Sequence, residues 1–159
     1  MQERYQRALY TLAFLFAALS LGPALAHLLE LPNKIGLERD QYFTVQTIYA
    51  GWALLGIVIF GAILSILALA IALRRERGPM VWAVAALLCI AAAQLVFWTY
   101  TYPANVATGN WTQSPANWEE LRRQWEYSHA TGSIFTLAPV MALVMSVLSW
   151  ASAPARVKA

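Results

Sequence analysis

Four apolar stretches separated by short polar breaks dominate the chain, at residues 8–30, 46–73, 79–102 and 128–151. Each is long enough to cross a hydrocarbon core about 30 Å thick, which takes about 20 helical residues. None carries Asp, Glu, Lys or Arg in its central part, as expected where a mid-membrane charge costs about 2.5–3.5 kcal/mol on insertion scales. The pattern predicts an all-α, four-helix transmembrane bundle, with residues 1–159 forming one integral membrane domain.

The breaks carry helix-stop and helix-start chemistry. Pro32 removes a backbone donor and disfavours helical geometry at Leu31, so the first span is expected to stop near Glu30. Gly78-Pro79 predicts the tight turn between spans two and three, and Pro103-Ala104-Asn105 the end of span three. Ser114-Pro115-Ala116-Asn117 reads as a helix start, so residues 118–129 should run as an amphipathic helix into span four. On it, Glu119 with Arg122 or Arg123 gives the ion-pair spacing of a solvated face.

Composition agrees with a membrane class: 60% of residues are apolar and 12% charged, against about 25% charged in soluble domains. Charge placement sets the expected orientation, because Lys and Arg are retained on the cytoplasmic side. Arg4, Arg7, Arg74, Arg75, Arg77, Arg156 and Lys158 make up seven of the eleven basic residues. That side carries +5, and the other side, with four basic and six acidic residues, carries −2. Both termini are expected in the cytoplasm, in a bacterial inner membrane, with the 31–45 and 103–126 connections outside. The basic residues thus answer to the bilayer and not to nucleic acid. Pro23-Ala24-Leu25-Ala26 also fits a signal-peptide cleavage site, but the apolar run is long enough to span. Cys89 has no disulfide partner in the chain and reads as a small packing residue.

The two histidines of the chain occur in mirrored pairs, His27-x-x-Glu30 and Glu126-x-x-His129. Residues at i and i+3 share a helix face. With span one rising outward and span four descending, His27 matches His129 in depth and Glu30 matches Glu126, near the outer boundary. If the two helices are neighbours, two imidazoles and two carboxylates converge. Such donors suit a mononuclear transition metal, whether iron, copper or zinc, with His27 and His129 as ligands and Glu30 and Glu126 as ligands or proton-transfer groups. A haem held by both histidines is a second use of the pair, disfavoured by acids beside a porphyrin. The bland alternative is that Glu126 is a first-turn acid and Glu30 pairs with Lys34.

The connection before span four is rich in aromatics. Trp111, Trp118 and Trp125 are candidate walls of a pocket for a hydrophobic small molecule, although Trp and Tyr also gather in ordinary interfacial belts. Asn105 is a candidate ligand contact or turn cap. The small residues Ala130, Gly132 and Ser133 in span four invite close helix approach and shape a compact bundle, which leaves room for an oligomeric partner.

The run from residue 98 to residue 140 resembles small four-span membrane proteins grouped with fungal anthrone oxygenases. Pro103 and Asn105 match that group's Pro-x-Asn after span three, and Trp125 and His129 its Trp-x-x-x-His at the start of span four. The first half of the chain departs from the group. The resemblance implies a four-helix membrane protein, some of whose relatives oxidise polycyclic anthrones with molecular oxygen.

Overall fold

The computed structural model describes residues 2–152. Its elements are α1 (Gln2–Lys34), α2 (Arg39–Gln46), two 3-10 turns (Thr47–Tyr49 and Trp52–Leu54), α3 (Leu55–Ala72), α4 (Arg77–Val96), a π turn (Phe97–Thr101), α5 (Tyr102–Ala107) and α6 (Trp118–Ala151). Four helical stretches are long and apolar enough to cross a membrane: Gln2–Lys34, Trp52–Ala72, Arg77–Ala107 and Trp118–Ala151. The chain is therefore an all-α integral membrane protein. Arg156 and Lys158, used above to orient it, lie outside the described residues.

Around the bundle the order is α1, α3, α4, α6, and α6 closes back on α1. Successive helices are antiparallel neighbours, so the ring forms without long crossovers. One end carries the N-terminus and the α3–α4 turn. The other, the loop end, carries α2, the 3-10 turns and the 108–117 loop.

Two apolar clusters fill the interior. The larger joins Leu9, Tyr10, Ala13 and Ala17 of α1 to Ile66, Leu69, Ala86, Ile90 and Leu143. Tyr10 donates to Ser146 Oγ at 2.8 Å, and that hydroxyl donates to the Pro79 carbonyl at 2.8 Å. Satisfying polar groups inside the bundle in this way avoids the cost of orphaned donors in lipid. Gly61 sits so close to α1 that a Cβ there would come within 2.6 Å of the Phe16 ring. Large apolar side chains such as Ile57, Phe60, Leu88, Leu95 and Met141 point outward, as a lipid-facing surface requires. The second cluster, at the loop end, gathers Tyr42, Ala104, Trp111, Leu121 and Trp125.

Three expected boundaries move. Helix α1 passes through Pro32 to Lys34, because Lys34 is anchored inward and Ile35 N still donates to the Leu31 carbonyl at 3.0 Å. The α3–α4 turn is closed by Arg74 N to Ile71 O and Glu76 N to Leu73 O, one step ahead of Gly78-Pro79. Those two residues lie in the first turn of α4, where a missing proline N–H is tolerated. A Cβ at Gly78 would meet Ser149 Oγ at 2.6 Å, so close packing on α6 explains that glycine. Span three also outruns Pro103: its backbone widens into the π turn at Phe97–Thr101 and stays helical to Ala107. A π turn just before a proline accommodates the ring and the carbonyl left without a donor. Helix α6 begins after Asn117, at Trp118.

Candidate functional site at the loop end of the bundle

Helices α1 and α6 stand side by side, and Ser133 shows why they come so close. Its hydroxyl, one turn beyond His129, reaches both the His129 carbonyl of its own helix and the Ala24 carbonyl of α1. A small residue at the crossing lets the backbones approach. One turn toward the loop end, the His27 and His129 rings stack face to face with centroids 4.0 Å apart and planes 27° apart. The Trp125 indole meets both edge-on, at 4.2 Å from His129 and 5.1 Å from His27. Tyr49 and Trp52 close the other side of His27, at 4.8 and 5.5 Å.

Above the imidazoles lies a charged cluster centred on Lys34. Its Nζ stands 3.2 Å from Glu30 Oε2 and 3.2 Å from Glu126 Oε1, and donates to the Tyr49 hydroxyl at 2.6 Å. The ammonium also lies over the Tyr49 and Trp125 rings, at 4.6 and 4.9 Å, where ring quadrupoles favour a cation. Tyr49 donates to Glu30. Tyr42 donates to Glu126 Oε1 at 2.9 Å and accepts from Gln46 Nε2. The Tyr42 hydroxyl is held above its ordinary pKa, first by burial and then by the Glu126 carboxylate, so it stays a neutral donor.

The mirrored pairs thus converge, with Lys34 between the two carboxylates. The Arg122 guanidinium lies nearby, 5.5 Å from the Tyr42 ring centroid. The buried atoms here without a hydrogen-bond partner are His27 Nδ1, Gln46 Oε1 and Glu126 Oε2, with Arg122 Nε beside them.

Metal ligation fits this arrangement poorly. A metal held by both imidazoles must lie in the plane of each ring, about 2.0–2.1 Å from a nitrogen. Rings stacked face to face do not aim their in-plane lone pairs at one point, and Lys34 takes the position between the acids that a cation would use. Among the described residues no group of three His, Cys, Asp or Glu side chains is placed to hold a metal ion. A haem would have to stand between the rings, and rings in stacking contact leave no such space.

The candidate wall residues are divided. Asn105 Oδ1 accepts from both indoles, Trp125 Nε1 at 2.8 Å and Trp111 Nε1 at 3.3 Å, and so braces the aromatic cap. Trp111 is buried against Tyr42, their centroids 5.1 Å apart, with its backbone in the left-handed region at φ 65°. Trp118 lies on the outer side of the cap beneath Arg122. Of the three tryptophans, Trp125 alone touches the histidines. Arg122 is not on a solvated face: it is buried and donates to the Leu37 carbonyl at 2.6 Å. It is Arg123 that faces Glu119, at 3.9 Å.

Sequence reasoning passed over Lys34 as a site residue, along with Tyr42, Gln46, Tyr49 and Trp52. His27, Glu30 and Lys34 lie at i, i+3 and i+7, one continuous helix face. That signal was present but hidden by reading Pro32 as the end of the helix. The two tyrosines carry no comparable pattern.

No family model, curated protein or solved structure matches this chain.

Proposed function

We propose that the loop end of the bundle is a proton-transfer site for a hydrophobic aromatic molecule, and that the chain is a membrane enzyme working by general acid–base chemistry. The observation that carries this reading is the buried, unpartnered His27 Nδ1 beside a stacked second imidazole. Imidazole is the side chain suited to exchanging protons near neutral pH. Coulomb repulsion between two imidazolium rings 4.0 Å apart lets the pair take one proton as a unit. Trp52, half-buried beside His27, offers a flat apolar face to an aromatic ring.

The resemblance to anthrone oxygenases supplies the substrate class. Deprotonating the ring methylene of an anthrone gives a carbanion able to reduce molecular oxygen. Overall, the methylene loses two hydrogens, one oxygen atom becomes the quinone carbonyl and the other leaves as water. With the termini in the cytoplasm, the site faces outward from a bacterial inner membrane.

A second reading, a non-enzymatic binding module, draws on the closed Lys34–Glu30–Tyr49 network, which clasps α1 to the 3-10 turns. Oxygen uptake by chelator-treated protein in nanodiscs, with an anthrone as probe, separates the readings. The enzyme accelerates uptake, and His27→Ala and His129→Ala each lower the rate about 100-fold or more. Uptake no faster than in empty nanodiscs, or uptake that needs stoichiometric iron, copper or zinc, contradicts it.

A further inference from the structure

The His27–His129 pair is walled unevenly. Toward the cap stands Trp125, buried, held by Asn105 and in contact with both rings. On another side Tyr49 and Trp52 meet His27 from the stretch 47–54, which is not α-helical. It consists of the two 3-10 turns, broken at Ala50 and Gly51, with Gly51 at φ 84°. Irregular backbone at membrane depth is tolerated where it borders a cavity or a protein surface.

Exposure alternates along this stretch. Thr47, Ile48, Ala50, Gly51, Ala53 and Leu54 are exposed, and only Tyr49 and Trp52 turn inward, onto His27. The outward side carries large apolar groups, with Ile48 57% and Leu54 71% exposed, and Leu29 of α1 is 74% exposed as well. That side therefore faces lipid, whereas Glu38, Arg39 and Asp40 mark the aqueous side.

We infer that residues 47–54 form a lateral gate, through which a bilayer-dissolved aromatic molecule reaches the imidazoles by displacing Trp52. Tyr49, tied to Glu30 and Lys34, is the fixed post, and the width freed by Trp52 sets which molecules pass. Gly51 is the hinge, because its left-handed conformation tolerates only glycine readily. The ligand class rests on the acid–base reading, while the gate itself rests on this geometry.

The test is histidine modification by diethylpyrocarbonate in the full chain in nanodiscs, counted by mass spectrometry. With two histidines in the chain, the signal reports on this pair alone. Trp52→Ala removes the displaceable ring. Gly51→Ala removes no contact, since a Cβ there meets nothing within 4 Å, yet it disfavours the closed backbone. Both variants should raise the modification rate about fivefold or more. Leu54→Ala on the outward side and Phe43→Ala on the aqueous cap should leave it at the wild-type rate. If Trp52→Ala fails to fold, Gly51→Ala decides alone. Wild-type rates in the gate variants, or an equal rise in Phe43→Ala, overturn the gate. No turnover is required, so loss of the acid–base reading and loss of the gate are seen separately.

Discussion

Lys34 holds its ammonium 3.2 Å from Glu126 Oε1, with the lysine side chain 5% and the glutamate side chain 0% exposed. An ion pair this buried gains little net stability over apolar residues, but removing one partner strands the other charge. Lys34→Met should lower stability by about 3–5 kcal/mol. Adding Glu126→Gln should recover most of that loss, because the stranded charge is gone while Glu30 remains 34% exposed and hydrated. A double-mutant cycle by denaturant unfolding in detergent checks the coupling; additive effects would show that the two groups do not interact.

Tyr42 gives the cap a pH dependence with a definite sign. Burial and the neighbouring Glu126 carboxylate raise its folded-state pKa above the unfolded value, which is about 10. The folded state thus holds the proton more tightly. The stabilisation is fully present below pH of about 10 and is lost as pH rises above it. Thermal unfolding against pH should fall off on the alkaline side, and Tyr42→Phe should flatten that fall. At neutral pH the same variant should cost about 1.5–3 kcal/mol, the range for a hydrogen bond to a charged acceptor.

Asn105 braces the aromatic cap, its Oδ1 accepting from the Trp125 and Trp111 indoles. Asn105→Ala should strand two indole donors, at about 1–3 kcal/mol each, and shift tryptophan emission as Trp111 and Trp125 rehydrate. If the variant instead keeps wild-type stability and emission, the bracing role is wrong.

The bundle was legible in the sequence because each span is a long uncharged apolar run, a constraint set by bilayer thickness and independent of partners. The convergence of His27 with His129 was legible because i, i+3 spacing fixes a helix face and antiparallel helices fix relative depth. The role of Lys34 was not, since Pro32 predicts a helix stop that three inward contacts at Lys34 override. Tyr42 and Tyr49 lie in short elements whose position depends on tertiary packing, with no periodicity to betray it. The stacking of the imidazoles, which disfavours shared metal ligation, is a matter of ring orientation that spacing does not encode.

The claim that His27 and His129 act as one proton-accepting unit is tested most directly by nitrogen-15 NMR of histidine-labelled protein in nanodiscs, titrated with an anthrone probe. Both imidazoles should respond together, with a common midpoint, and His129→Ala should abolish the response at His27. A response confined to one ring, or none at either while the probe binds elsewhere, contradicts it.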